Sequence, residues 1–327
     1  MNKLAAQIGI LLLASGIRAP QQTPVNPAPQ QAPPSQQSPK KEPPTHRADF
    51  FSKVGGTSIF IYGTDVDPCG LLPPGLNLLP YGSGFVSGVE KKGASTPETW
   101  NGWKFIVTAK HVVANRTEII IRVNADNQSK FICKKFALRG QGPGQNVLLA
   151  DEGIDLAAIV LPEIEGYSST VVPSSSLIDE KKMQEWSIGV GTEVLTVGYL
   201  YGYSGQKANY PVTKFGHISM ISDELWYFND QSRLMEQGYV LDLSNTPGLS
   251  GSPVFTHGFE IEANPFRYRE LPTSLVGVVK GLMLAPIGNT SISQGIAVIE
   301  PASHVKELMQ KVAAALKAGG ADIEPIN

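Results

Sequence analysis

Nine short runs rich in β-branched and aromatic residues set the frame for this chain: TSIFIYG, GSGFVSGV, WKFIVTA, TEIIIRV, LAAIVLP, TEVLTVGYL, GYVLDLS, SPVFTH and LVGVVKGL, in that order between residues 57 and 282. Turn residues separate them, and with 33 Gly and 25 Pro there are enough turn formers to join many strands. Such a pattern folds as an antiparallel sandwich or barrel and not as a helical bundle. Only the stretch PASHVKELMQKVAAALKA, from Pro301 to Ala318, predicts a long helix. Pro301 suits a first helical turn, and Val305, Leu308, Val312 and Leu316 share one face suited to core packing.

The 42% hydrophobic and 17% charged residues are those of a soluble globular protein, and the net charge of −2 provides no basic field for nucleic acid. Lys3, the apolar stretch Leu4 to Ala14 and the small residues Ser15 and Gly16 predict a signal peptide over residues 1–18. Export from a bacterial cell, to the periplasm or beyond, follows, and an uncleaved signal would tether the protein to the membrane. Residues 20–44 contain nine Pro and six Gln, too little apolar surface to offset ordering entropy. A Pro/Gln-rich disordered linker over residues 19–48 is expected, reaching about 75 Å if polyproline-like.

The strand runs fall into two sets. They predict a β-domain over residues 49–165, a linker over 166–186, a second β-domain over 187–300, the helix over 301–318 and a tail over 319–327. A site built from both domains would lie between them. Cys69 and Cys133 either pair or stay as two buried thiols, and they are too few for a cysteine zinc site. His46, His217, His257 and His304 form no HExxH or HxH pattern, so no metal is expected. GVGTEV and GSGFVSG lack the third glycine and the βαβ setting of a dinucleotide loop, so no cofactor is expected either.

Chemistry enters with three segments. In NTPGLSGSPVF, residues 245–255, Ser250 stands between glycines in a turn that runs into an apolar strand, as a nucleophile on a crowded turn would. In FIVTAKHVVAN, His111 follows the end of an apolar strand and is the candidate base. In GIDLAAIVLP, Asp155 directly precedes an apolar strand, where a buried carboxylate needs a partner such as an imidazole N–H. The order is His, Asp, Ser, with separations of 44 and 95 residues.

These segments resemble the chymotrypsin-like, double-barrel serine proteases. TAKH is similar to the family's T-A-x-H, GIDLAAI to its D-[IL]-A strand start, GLSGSPV to its G-x-S-G-[GS]-P, and GSGF at residues 82–85 to the segment that precedes the histidine motif. The S-G-S-P-V ending resembles the bacterial glutamyl endopeptidase branch. The resemblance implies an all-β fold of two antiparallel six-stranded β-barrels with a C-terminal α-helix. It also implies a serine endopeptidase in which Ser250 attacks a peptide carbonyl, His111 carries the proton and Asp155 orients the imidazole. The amides of Gly248 and Ser250 would form the oxyanion hole.

Ser244, six residues before the nucleophile, would stand at the base of the substrate pocket, with Val279 and Lys280 in the strand that lines it. An uncharged Ser244 predicts acceptance of a neutral or small apolar side chain. Lys280 is expected to keep a solvated head above its strand. Two departures from the family matter. Leu249 replaces the aspartate that receives a new amino terminus on zymogen cleavage, so KVGG at residues 53–56 is not read as an activation site. Val279 and Lys280 stand where glutamyl endopeptidases carry a histidine, which argues against strict glutamate preference. Polypeptides are the expected substrates, and no PDZ peptide-binding domain is expected after the second barrel. The rival reading is a protease-fold binding or scaffold protein with a latent triad, which a covalent serine probe would separate from an active enzyme.

Overall fold

The computed structural model describes residues 55–326 except 66, 71–78, 94–99, 127–129, 141–144, 201–202, 225–226, 230–233, 245, 264–265 and 288–289. The expected signal peptide and linker lie outside these residues. The first sheet comprises β1 (Ser58–Tyr62), β2 (Gly82–Glu90), β3 (Gly102–Thr108), β4 (Glu118–Asn124), β5 (Phe131–Ala137), β6 (Val147–Leu149) and β7 (Ala157–Val160). A single helical turn, α1 (Lys110–Val113), follows β3. The strands are ordered β5-β4-β1-β2-β3-β7-β6, and β8 (Val172–Pro173) adds to β2 in parallel. A short helix, α2 (Glu180–Glu185), leads into the second set.

That set comprises β9 (Glu193–Gly198), β10 (Val212–Met220), β11 (Tyr227–Asn229), β12 (Leu234–Glu236), β13 (Tyr239–Asp242), β14 (Pro253–Thr256), β15 (Phe259–Ala263), β16 (Phe266–Glu270), β17 (Leu275–Ile287) and β18 (Thr290–Pro301). Six of these close into a barrel in the order β10-β13-β18-β17-β14-β9, while β11-β12 and β15-β16 are separate two-stranded pairs. Helix α3 (Ala302–Ala318) ends the fold. The architecture is thus mostly β, with one closed six-stranded barrel, a curled eight-stranded sheet that forms a half-barrel where a second six-stranded barrel was expected, and a C-terminal helix, in keeping with the double-barrel class.

The two units differ in closure. Between the edge strands β5 and β6 of the first sheet there is no ladder among the described residues. The gap is spanned by Asn146, whose amide Nδ2 donates to Ala137 O at 2.8 Å and whose Oδ1 accepts the Arg139 N–H at 2.7 Å. Edge strand β5 carries Lys134 and Lys135 outward, which discourages further strand pairing. Cys69 and Cys133 form a disulfide that ties this edge to the segment after β1.

The continuous apolar runs of β2, β3 and β7 have a simple cause: these strands are buried on both faces. Val86, Ile106, Ala157 and Ile159 point into the first sheet's own core with Ile59, Ile119 and Ile121. Phe85, Val89, Phe105, Val107, Leu156 and Ala158 point the other way, into a core shared with the second barrel and α3. Val305, Leu308, Met309 and Val312 of α3 seal that shared core, each stabilising the fold by roughly 1.5–3 kcal/mol through burial. The tail does not hang free: Ile323 is buried in the same cluster, Glu324 N–H donates to Glu90 O at 2.9 Å, and Lys91 bridges to Ile323.

Candidate functional site

His111 and Asp155 meet where β3 and β7 lie side by side, with Thr108 opposite Ala157. Both stand just off these paired strand ends, so the backbone ladder sets their approach. The imidazole Nδ1 lies 2.7 Å from Asp155 Oδ2, and the His111 backbone N–H donates to Oδ1 of the same carboxylate at 2.9 Å. Asp155 is 3% exposed, and a buried carboxylate of this kind is costly unless its oxygens are satisfied. Its main chain is engaged as well: the carbonyl accepts the Lys110 N–H at 3.1 Å, and the N–H donates to Glu300 Oε2 at 3.3 Å. With a carboxylate at Nδ1, that nitrogen carries the proton of the neutral ring. Nε2 is then the nitrogen left to accept one.

The turn that carries Ser250 reaches α1 from the second barrel, and among the described residues no hydrogen bond joins Ser250 to His111. Ser83 on β2 links the two units. Its N–H donates to Ser250 O at 2.7 Å, its hydroxyl donates to Gly248 O at 3.0 Å, and its carbonyl accepts the hydroxyl of Thr108 at 2.7 Å. The Tyr199 N–H in turn donates to Ser83 Oγ at 3.1 Å, which fixes the serine rotamer. A methyl on Gly82 would stand 2.6 Å from Val112 Cγ2 and 2.7 Å from Ser250 O, so the α1 turn that carries His111 and the nucleophile turn crowd the same point.

Glycine is required twice in that turn. Gly248 has φ +95° and lies against the Tyr199 ring, which any Cβ would strike. Gly251 has φ +86° and packs on Ser83 O and Thr108 Oγ1. Leu249 between them is fully buried in the shared core, so apolar burial anchors a turn that lacks the family's aspartate. The amides of Leu249, Gly251 and Ser252 donate to Thr246 O, Val279 O and Leu249 O. Among the described residues, those of Gly248 and Ser250 have no acceptor. Two uncommitted amides beside a serine are what a developing oxyanion needs.

The expected pocket residues are scattered. Val279 touches the turn through its backbone: its carbonyl accepts the Gly251 N–H at 2.7 Å and its N–H donates to Ser252 O at 2.9 Å. Ser244 is exposed, and its carbonyl accepts the Lys214 ammonium at 2.6 Å. It lines a cavity of about 560 Å³ with Glu193, Phe215, His217, Asp242 and His257, a group that does not include Ser250. Lys280 departs most from expectation. Its ammonium is not solvated but fully buried, 3.0 Å from Glu300 Oε2. The cause is a β-bulge: pairing passes from Val279↔Ile299 to Gly281↔Val298, and the inserted residue breaks the strand's alternation.

Ser83, Tyr199 and Glu300 escaped sequence reasoning. Only Ser83 had a local signal, its place between two glycines in GSGF. Among the described residues no cluster of His, Cys, Asp and Glu could hold a metal ion.

Comparison with known proteins gives one family match and several distant structural neighbours. The family model for the trypsin-like peptidase domain matches residues 82–261, from Gly82 at the start of β2 past the nucleophile turn into β15. No curated protein matches the chain. Among solved structures, the MamO protease domain from Magnetospirillum magneticum is 15% identical with a TM-score of 0.46, covering 79% of this chain and 97% of that one. The active form of the Rv3671c protease from M. tuberculosis is 17% identical with a TM-score of 0.42, covering 80% of this chain and 82% of that one. The family match covers more than half of the sequence and includes Asp155, His111 and Ser250, so this chain belongs to the trypsin-like peptidase family, and its fold is that of a protease-type hydrolase.

Proposed function

We propose that this protein is an exported serine endopeptidase that cleaves polypeptides through an acyl-enzyme, with His111, Asp155 and Ser250 as its triad. The observation that carries the reading is the buried Asp155 carboxylate bridging the backbone N–H and Nδ1 of His111, on a helical turn that crowds Gly82 together with the Ser250 turn. Ser250 Oγ attacks the substrate carbonyl while His111 Nε2 takes the hydroxyl proton, and the amides of Gly248 and Ser250 receive the oxyanion. The same imidazolium then protonates the leaving amine. Water, deprotonated by His111, hydrolyses the ester in the second half-reaction.

The neutral or small apolar side chain expected before the scissile bond does not rest on Ser244, which lines a cavity whose walls do not include Ser250. Lys280 adds no charge for a substrate carboxylate, because Glu300 holds it. That favours a general trypsin-like peptidase over the strict glutamyl endopeptidase branch. Export rests on the apolar segment Leu4 to Ala14, and tethering by an uncleaved signal would leave the linker as a spacer.

Treating the full chain with a fluorophosphonate tests the reading. Wild type and Ser252→Ala are expected to label, and Ser250→Ala is expected not to; Ser252 is fully buried and serves as the control. A folded wild type that does not label would replace this reading with the latent, binding-protein one.

A further inference from the structure

Behind Asp155 lies a second set of charged side chains that the reaction does not use. Glu300, at the end of β18, is fully buried. Its Oε2 receives both the Lys280 ammonium at 3.0 Å and the Asp155 N–H at 3.3 Å, and its Oε1 meets His304 Nδ1 in the first turn of α3. Lys280 also donates to the carbonyl of Gln237. The side chains of Lys280 and Glu300 have no exposure, and that of His304 is 15% exposed. A buried ion pair is weak ground for stability, since well-packed apolar residues often serve as well. What sets this one apart is its third contact, the peptide N–H of the residue whose carboxylate holds His111.

We infer that Lys280, Glu300 and His304 are positioning residues for the proposed triad. Glu300 anchors the Asp155 peptide so that both carboxylate oxygens face His111. Lys280 neutralises Glu300, so that Asp155 remains the anion the imidazolium feels. The inference rests on the serine-peptidase reading and adds to it a part that neither composition nor motif supplies. The titratable groups facing Glu300 are Lys280 on β17 and His304 on α3. Those around Asp155 are His111 and Lys110, whose ammonium is held by the carbonyls of Ala150 and Asp151 at 3.3 and 3.1 Å. The Asp151 carboxylate is itself paired with Lys311.

The test uses the full chain and reads fluorophosphonate labelling and peptide kcat/KM against pH. Glu300→Gln removes an anion and leaves a cation, so the acid limb is expected to move to lower pH by roughly half to one unit. Lys280→Met does the opposite, and the limb is expected to move up by a similar amount. A third variant, Lys280→Met with Glu300→Leu, removes both charges together with the acceptor for the Asp155 N–H. Its limb is expected to stay in place while kcat falls about tenfold at constant KM. If a single variant fails to fold, the double variant carries the test.

Folded variants with wild-type limbs and wild-type kcat would overturn the inference and leave the serine reading intact. A folded wild type that does not label would overturn both.

Discussion

In the first sheet, His111 and Asp155 are aimed by side-chain hydrogen bonds at the paired ends of β3 and β7, whereas in the second barrel Gly248 and Ser250 present peptide amides on a turn shaped by what glycine lacks. The two units differ in the same sense as wholes. The second closes through a complete ladder of six strands, while the first curls until Asn146 and a disulfide hold its edge. Side-chain chemistry can be placed by strand register alone, because a strand end fixes the direction of its next residue. The turn that presents the amides keeps the positive φ of Gly248 only because no Cβ stands there to strike the Tyr199 ring. Ser83 then keeps the two units in step, because it touches Ser250, Gly248 and Thr108 at once.

The side-chain half of this comparison should break first. Asp155→Asn is expected to lower kcat/KM roughly 10⁴-fold with the fold retained, since an amide oriented by the His111 N–H imposes the wrong tautomer on the ring. A loss below tenfold would mean that the carboxylate contact is structural only.

The next largest effect concerns the first unit's open edge. Replacing Cys69 and Cys133 by Ser opens a bridge across 64 residues, which on chain-entropy grounds is expected to cost about 4 kcal/mol. Urea denaturation with and without reductant measures it, and an unchanged midpoint would show that Asn146 closes the edge unaided.

On the backbone side, Gly248→Ala is expected to lower kcat roughly 10²-fold, about 3 kcal/mol, with little change in KM, because the Tyr199 ring blocks the turn from keeping its φ. Equal losses in kcat and 1/KM would shift the glycine's role from oxyanion binding to shaping the substrate site.

The smallest effect tests how α3 is tied to α2, the helix that leads from the first unit into the second. Asp179 caps α2 by accepting the Lys182 N–H and pairs with Lys306 of α3 at 2.7 Å. The Lys306 ammonium, and then the Lys182 N–H, hold its carboxyl below the ordinary carboxylate value. A depressed folded value means the contribution is present above the unfolded value near 4 and is lost as pH falls through the folded one. Asp179→Ala is therefore expected to cost about 1 kcal/mol at pH 7 and progressively less as pH falls below the unfolded value. A loss that persists at low pH would assign the effect to packing.

Much of this was legible because it is local. An apolar strand followed by a histidine, an aspartate before an apolar strand and a serine among glycines each reflect a constraint acting over a few residues. The face of α3 was legible for the same reason, since Val305, Leu308 and Val312 recur at the helical period and are buried together. Lys280 was not. Period-two alternation cannot register a bulge, and the inserted residue turns an ammonium from solvent toward Glu300, twenty residues later in the chain.

The sequence by itself determined the mostly-β class, the closing helix and the order of His111, Asp155 and Ser250, because turn chemistry, apolar periodicity and motif spacing are written in neighbouring residues. Tertiary structure alone decided which amides stay uncommitted, that Ser83 and Tyr199 brace the nucleophile turn, and that a buried Lys280–Glu300 pair reaches the Asp155 peptide. Those contacts join residues 20 to 165 positions apart, and whether a buried polar group costs or contributes depends on the partner the fold delivers to it.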